Sequence, residues 1–363
     1  MAQFQLKPKV ITGKNIDGSA VTLTASHPQQ LCLFQSFSDN IRTYSNTVAL
    51  YDALPIYFSS TSQLDELRTS GGYLPTETRY FEYKEPSTED TVKHELRMTP
   101  ARIQDKDGKD REYYPTMAEK YPVDALRRLA TQPEHGCYLD NIAGVMFTRN
   151  QLHRELAEHG HSRNSLDLLH QLEVSSGTRL EVMIDGAKSS IVKATILPVL
   201  VLPTREEWEA NPDIKCYAQF NPLVTSSIND FTFRQFDYGT YMGLKRQLSQ
   251  WLFIRLSHHF IYAHVDKPYQ ISAKRMLNDS YLSNYSKFTD NINKGIRKTL
   301  EELQDNKIIA KVNIKPEKKG TKIIDVKYEL FPTENFSDCM RGANYRLRAI
   351  KTQAEQWGGL PQI

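Results

Sequence analysis

The chain has 363 residues, of which 39% are hydrophobic, 10% aromatic and 25% charged. This size and composition are typical of a folded protein with two or three domains, and they exclude a fibrous or wholly disordered chain. The net charge is only +3, but residues 241–327 carry 17 Lys/Arg against 8 Asp/Glu. This asymmetry indicates that the C-terminal part meets a polyanion.

The four cysteines, Cys32, Cys137, Cys216 and Cys339, lie far apart and form no CxxC pair. No apolar leader precedes the polar start MAQFQLKPKV, and the most apolar windows are too short or too polar to span a bilayer. These features favour a reduced, cytoplasmic setting without a membrane segment.

Residues 1–112 are expected to form an N-terminal extension. Its first forty residues indicate a short hairpin or a loosely attached arm, and TVALYDALPIYF predicts a short amphipathic helix that Pro55 stops. The segments HELRMTPARI and REYYP flank DKDGKD, which predicts a hairpin with Asp107-Gly108 in its turn. The Asp105-x-Asp107 pattern lacks the further acidic ligands of an EF-hand loop, so calcium is not expected.

Residues 113–228 show the element order of a winged helix. Three helices are predicted: EKYPVDALRRLA, FTRNQLHRELAEHG with Thr148 as N-cap and Gly160 as stop, and SRNSLDLLHQLEVSS ending at Gly177. The strands TRLEVMID and SSIVKATILPVLVL follow, joined by a tight Gly186-Ala187-Lys188 turn. PTREEWEANPDIK reads as a link, and a strand, CYAQFNPLV, and a short helix near SSIND come after it.

The order repeats in residues 229–335. MGLKRQLSQWLFIRLSHHFIYA predicts a long helix and YQISAKRMLNDS a short second one. FTDNINKGIRKTLEELQD predicts a third helix, because apolar residues recur at helical spacing. Two strands, NKIIAKVNI and KIIDVKYELF, are joined by the turn KPEKKGT. We therefore predict an α+β fold with two tandem winged helix-turn-helix domains and an N-terminal extension, followed by a tail helix in residues 336–363.

The third helix of the second unit carries polar and cationic residues opposite its apolar face. In a helix-turn-helix this outer face can enter the major groove, where Asn suits adenine and Arg suits guanine. The candidate DNA-binding residues of this helix are Lys287, Asn291, Asn293, Lys294, Arg297 and Lys298. A merely solvated helix face is the alternative.

Two neighbouring elements add cations to the same side, as a duplex backbone would require. The additional candidates are Lys315, Lys318, Lys319 and Lys322 in the wing, and Lys274 and Arg275 on the preceding helix.

The first unit gives a weaker signal. Its corresponding candidates are Arg163 and Asn164 on the third helix and Lys188 in the wing. Because that helix also carries Asp167 and Glu173, the first unit either binds DNA weakly or serves mainly as a surface for interaction.

Catalytic, metal and nucleotide motifs are not found. The histidines lack the cysteine or carboxylate partners of a zinc site, and no GxxxxGK[ST], GxGxxG or GxSxG occurs. His159-Gly160-His161 has glycine where rolling-circle nickases have a bulky residue, so a metal-dependent nickase is a remote alternative. Glu206-Glu207 and Glu301-Glu302 are interpreted as solvated pairs. We expect no enzyme activity, no cofactor and no metal.

The order of several short phrases resembles a known family. FNPLVTSSI, then FTFRQFDYGTYMGLKRQLSQWLFIRL, then KTLEELQDNKII is similar to plasmid replication initiators with two winged-helix domains, of the TrfA and RepC type. ALYDALPIYF, MTPARIQDKDG and ALRRLA extend the resemblance upstream, so that it covers roughly residues 47–335. The first hundred residues have no clear counterpart in the smallest initiators, and the tail is either a partner-binding helix or a packed terminus.

The resemblance implies a function. Such proteins bind repeated sites in a replication origin, help to open an AT-rich segment and recruit the host initiator and replicative helicase. It also implies a bacterial protein of the cytoplasm, associated with nucleoid or plasmid, that forms a homodimer in some states and has no catalytic centre. A winged-helix transcriptional regulator is the alternative from a different class.

Overall fold

The computed structural model describes residues 10–14, 20–24, 44–84, 91–104, 108–132, 134–139, 142–184, 190–283 and 285–356. The elements before the first winged helix are β1 (Val10–Lys14), β2 (Ala20–Thr24), β3 (Tyr44–Val48), α1 (Ala49–Ala53), α2 (Thr61–Leu67), β4 (Glu77–Lys84), β5 (Thr91–Thr99), β6 (Ala101–Gln104) and β7 (Asp110–Tyr113). β1 pairs with β2, and β6 pairs with β7. Two antiparallel hairpins therefore lie where the sequence predicts them.

The extension differs from the prediction at TVALYDALPIYF. Thr47 and Val48 belong to β3, and the helix is shorter than predicted, since α1 has only five residues. Leu54 is extended because it precedes Pro55, which disfavours helical backbone in the residue before it. In the hairpin of β6 and β7, Gly108 has φ +74°, as a tight turn requires, while Asp105 and Asp107 lie outside the described residues.

The first winged-helix unit contains the three predicted helices. Its elements are α3 (Met117–Leu129), β8 (Gly136–Leu139), β9 (Ile142–Thr148), α4 (Arg149–Glu158), α5 (Ser165–Gly177), β10 (Arg179–Ile184), β11 (Ser190–Thr195), β12 (Leu200–Val201), α6 (Arg205–Ala210), β13 (Lys215–Gln219) and α7 (Pro222–Asn229). Thr148 forms a capping box with Gln151 at the start of α4, and Gly160 has φ +78° just past its end. Both predicted helix signals are confirmed.

The sheets of this unit are larger than expected. One has the order β11-β10-β5-β4, so the extension supplies two strands beside the wing, and the other has the order β12-β13-β9-β8. The hairpin of β8 and β9, between the first two helices, was not predicted. The expected single strand through ILPVLVL is broken into β11 and β12, and the expected link contains α6, whose Trp208 is fully buried. The predicted Lys188 turn lies outside the described residues.

The second unit follows with β14 (Phe233–Asp237), α8 (Tyr238–Gly243), α9 (Gln247–His259), β15 (Tyr269–Ser272), α10 (Ala273–Ser280), α11 (Phe288–Asp290), a π turn (Asn291–Ile296), α12 (Arg297–Asp305), β16 (Ile309–Lys319), β17 (Lys322–Pro332) and α13 (Glu334–Gln356). Its sheet has the order β15-β17-β16, in which β16 and β17 form the wing. The α+β class with two tandem winged helices and an N-terminal extension is confirmed.

Three elements of this unit differ from their predicted extents. The predicted long helix is two helices, α8 and α9, separated by residues 244–246. The predicted second helix begins with strand β15 and becomes helical at α10, where Ser272 is the N-cap. Most of the expected KPEKKGT turn is strand, so the wing is long and turns at Gly320, which has φ +64°.

Strand β14, which lies between the two units, contacts both the extension and the tail helix. β14 pairs with β3 of the extension, and Arg234 on β14 donates to Asn344 on α13 at 2.6 Å. The apolar side of α13, with Phe336, Met340 and Ile350, is buried. The tail helix is thus a packed element. No helix among the described residues has the length and apolar character needed to cross a membrane.

A buried polar cluster also joins the extension to both units. Asp52 on α1 accepts two hydrogen bonds from Arg127 on α3, at 2.6 and 3.0 Å, and it accepts a third from Thr47. Thr47 Oγ in turn lies 2.9 Å from His258 Nε2 on α9. We call Thr47, Asp52, Arg127 and His258 the Asp52 cluster.

The Asp52 cluster predicts a loss of stability in acid. Burial lowers the pKa of His258 to about 4. Below pH 6.5 the His258 imidazole binds a proton in the unfolded chain but stays neutral in the folded chain. The free energy of unfolding therefore decreases as the pH falls towards 4. Between pH 7 and pH 5 we expect the free energy of unfolding to drop by about 2 kcal/mol through this residue. Urea denaturation at both pH values should show a smaller drop in His258→Gln, and an equal drop would contradict the assignment.

Candidate nucleic-acid interface

The third helix of the second unit, residues 288–305, is fixed by its apolar face. Ile296, Thr299 and Leu303 are buried, and Phe288 and Ile292 pack partly buried against the same core. Side chains at this spacing form one stripe, which lies towards α9 and the wing strand β16. The predicted buried face is confirmed, and the opposite face is left to solvent.

The outer face carries most of the predicted residues in exposed positions. These are Lys287, Asn293, Lys294, Arg297 and Lys298. Lys294 lies 3.6 Å from Asp290, and Arg297 lies 3.4 Å from Glu301, with all four side chains more than a third exposed. Exposed ion pairs of this kind stabilise a helix little, so a phosphate or base edge can replace the carboxylate partner at small cost.

Asn291 requires a correction, because it does not belong to the outer face. It is only 4% exposed, and its side-chain amide is hydrogen bonded to the backbone of Tyr285 and Lys287. A uniform α-helix would place residue 291 beside Lys287, Lys294 and Lys298. The π turn adds about one residue to a turn, and this rotates the upstream part by about 100° and carries Asn291 inwards.

The wing presents cations at its tip. Lys315 pairs with Glu329, and Lys327 lies 2.5 Å from Glu317. Lys318, Lys319 and Lys322 are exposed and have no ion-pair partner among the described residues. Three unneutralised charges next to a two-residue turn make the tip the strongest phosphate-binding candidate of the unit.

The two predicted residues of α10 differ in their surroundings. Lys274 is exposed, and its backbone N–H donates to Asp325 of β17 at 3.1 Å, which fixes α10 against the wing. Arg275 is half-buried and lies 3.3 Å from Asp279 and 3.9 Å from Glu82 on β4. Arg275 therefore already contributes to the contact with the extension. Burial raises the pKa of Asp279 although Arg255 and Arg275 lie beside it.

Glu302 also requires a correction, since it is not a solvated carboxylate. It accepts hydrogen bonds from the backbone N–H groups of Lys245 and Arg246, at 2.7 and 3.2 Å, and from Ser249 Oγ at 2.6 Å. Arg246, the N-cap of α9, makes no side-chain cap of its own. The third helix thus caps α9 of the same unit.

We expect Glu302→Gln to lower the free energy of unfolding by about 1–2 kcal/mol, because charged capping bonds to backbone donors are lost. Glu301→Gln, next to it and exposed, is the matched control and should change stability by less than about 0.5 kcal/mol. Chemical denaturation of both variants measures the difference. Equal losses would show that the capping bonds do not stabilise the unit.

In the first unit the candidates are less well placed. Asn164 is the N-cap of α5: its side chain accepts from the backbone of Asp167 and donates to the Asp167 carboxylate. Its amide therefore caps the helix start, and its side chain remains exposed, so a role in contacting DNA stays a prediction. Arg163 is partly exposed and donates to the carbonyl of Ser162 at 2.8 Å. Lys188 lies outside the described residues.

The histidines near α4 take part in separate contacts. His161 bonds the carbonyl of Met242 at 2.9 Å and stacks on Tyr121, while His159 lies 3.6 Å from Glu155. Within the described residues, no three side chains of His, Cys, Asp or Glu converge as a metal site would require.

Two tyrosines at this surface were not among the predicted residues. Tyr281 ends α10 with φ +53°, and its hydroxyl bonds the N–H and C=O of Tyr80 on the edge strand β4, at 2.7 and 3.1 Å. Tyr285 lies just before the third helix and is 36% exposed. The sequence SNYSKF carries a signal for Tyr285, because it places an aromatic residue close to the lysine that opens a basic helix.

No family model matches the chain, and no curated protein matches it in sequence. The structure is similar to that of Pi initiator protein in complex with iteron DNA, at 15% identity and a TM-score of 0.39, over 59% of this chain and 91% of that one.

Two structures of RctB are also similar. A selenomethionine derivative of its domains 2 and 3 has 9% identity and a TM-score of 0.42, over 84% of this chain and 98% of that one. Another structure of domains 2-3 has 9% identity and a TM-score of 0.41, over 73% and 95%. At these identities and TM-scores, the function proposed for this chain rests on its own residues.

Proposed function

We propose that the protein is a sequence-specific double-stranded DNA-binding replication initiator. In this proposal the third helix of the second unit reads base edges, and the wing holds phosphates. The protein binds repeated sites at a plasmid or mobile-element origin and helps to open an adjacent AT-rich segment.

The observation that carries the proposal is that three elements in contact with one another, α10, the third helix and the wing, all carry exposed cations. Lys274 at the start of α10, the outer face of the third helix and the wing tip are all exposed, and Asp325 ties α10 to the wing. Charged residues at the tip of a wing and along a third helix suit the two strands of a duplex backbone on either side of a groove. Asn293 and Arg297 have the hydrogen-bonding groups that distinguish bases.

The role in initiation, as opposed to transcription, is supported by the resemblance of FNPLVTSSI and the phrases that follow it. An initiator is expected to load on tandem repeats and to distort flanking DNA. A winged-helix regulator would instead protect one palindromic or paired site without distortion.

Footprinting on DNA from around the protein's own gene, combined with a single-strand-specific probe, tests this function. We expect evenly spaced protected repeats and reactive thymines in a neighbouring AT-rich stretch. A single protected palindrome with no reactive bases would replace initiation by transcriptional regulation.

Several finer points belong to the same proposal. We propose that the protein recruits the host initiator and replicative helicase, forms a homodimer in some states and acts in the bacterial cytoplasm without catalysing a reaction. The domain boundaries at residues 112, 228 and 335 likewise remain predictions.

A further inference from the structure

The chain entering the third helix is held in an unusually specific way. The Asn291 side chain accepts from the Tyr285 N–H at 3.2 Å and donates to the Tyr285 carbonyl at 2.5 Å. It also donates to the Lys287 carbonyl at 3.1 Å. One buried amide therefore satisfies both backbone groups of Tyr285, as a neighbouring strand would, and fixes the loop before the helix.

These bonds place the Tyr285 ring on the outer face of the helix. Lys294 Nζ lies 5.7 Å from the ring centroid. A Cβ built on Gly295 would lie 3.9 Å from the Tyr285 Cε2 atom, so the ring reaches over the π turn. Tyr285 thus covers part of the surface beside Lys294 and over Gly295, where the π turn has moved Asn291 inwards.

We propose that Tyr285 is a DNA-contacting residue of the third helix and that Asn291 is the residue that positions it. The ligand is duplex DNA, with the hydroxyl donating to a phosphate or base edge while Lys294 beside the ring neutralises the backbone. This inference rests on the proposed DNA-binding function and adds to it a contact and a positioning residue.

The first test measures the reactivity of Tyr285 towards tetranitromethane, with and without saturating duplex DNA. Tyr262, which belongs to the same unit and is 73% exposed, is the internal control. We expect DNA to slow the nitration of Tyr285 at least about fivefold and to leave Tyr262 unchanged. If the protein binds DNA but Tyr285 is nitrated as fast as before, the inference is overturned and the proposed function stands. If the protein binds no duplex at all, the proposed function itself fails.

The second test separates positioning from simple support of the fold. Tyr285→Phe keeps the ring and is expected to weaken duplex binding about tenfold, as loss of a hydrogen bond to a charged group does. The losses from Asn291→Ala and Tyr285→Ala should not add in the double variant, because both remove one contact. The losses from Asn293→Ala and Tyr285→Ala should add, since Asn293 acts on its own. Additive losses in both pairs, or unchanged binding by Tyr285→Phe, would overturn the assignment.

Discussion

Replacing Arg127 with alanine is expected to lower the free energy of unfolding by about 3–5 kcal/mol, because it leaves the Asp52 carboxylate buried without its charge partner. The side chains of Arg127 and Asp52 are only 9% and 13% exposed. Burial alone would raise the pKa of Asp52, but the Arg127 guanidinium outweighs burial and lowers this pKa to about 2. The guanidinium also donates to the backbone carbonyl of Asn46, so its loss weakens the contact of α3 with β3 as well.

Urea or guanidinium denaturation measures this loss directly. Arg154→Ala, on the exposed side of α4, is the matched control and should change stability by less than about 0.5 kcal/mol. A loss below about 1 kcal/mol for Arg127→Ala would contradict the view that the Asp52 cluster holds the extension and the two units together.

Removing the three lysines of the wing tip is expected to weaken binding to every duplex alike. Each lysine that neutralises a phosphate contributes about 0.9 to the slope of log affinity against log salt. The triple variant Lys318→Ala, Lys319→Ala, Lys322→Ala should therefore reduce that slope by about 2.7 on both specific and random DNA.

Arg297→Ala should instead weaken binding by about 1–3 kcal/mol on the specific site only, with reduced discrimination between bases at one base pair.

The control for Arg297 is Arg341→Ala on α13. Arg341 is exposed and pairs with Asp338 on its own helix, as Arg297 pairs with Glu301. We expect Arg341→Ala to leave both affinities unchanged. Equal losses on specific and random DNA for Arg297→Ala and the wing variant would contradict this division between base reading and phosphate holding.

The sequence predicts local features of the fold well, because their causes are local. Thr148 and Gly160 bound α4 through capping and left-handed backbone, and the spacing of Ile296, Thr299 and Leu303 marks the buried face of the third helix. Hairpins with a glycine turn are recognised for the same reason.

Features that depend on distant partners were not predicted. Asp52 and Arg127 are 75 positions apart, and neither has a neighbour in sequence that indicates their pairing. Glu302 is indistinguishable from a solvated glutamate until α9 is seen to begin against it. β5 joins the wing strand β10 although it belongs to the extension, which only the folded sheet reveals.

The candidate site shows the same limit at single-residue scale. Regular helical spacing predicted Asn291 on the outer face of the third helix, among the residues proposed to contact bases. The π turn instead buries the Asn291 side chain, which holds the backbone of Tyr285. Because a π turn follows from packing and loop anchoring, periodicity does not reveal it.

The measurement that tests the central claim most directly is a binding titration against DNA from around the protein's own gene and against a random duplex, repeated over several salt concentrations. We expect the home DNA to bind at least about a thousandfold more tightly, with a log-log salt slope of about −5 to −8. Equal affinity for the two DNAs, or no binding to either, would contradict the claim that the third helix and wing of the second unit form a sequence-reading DNA interface.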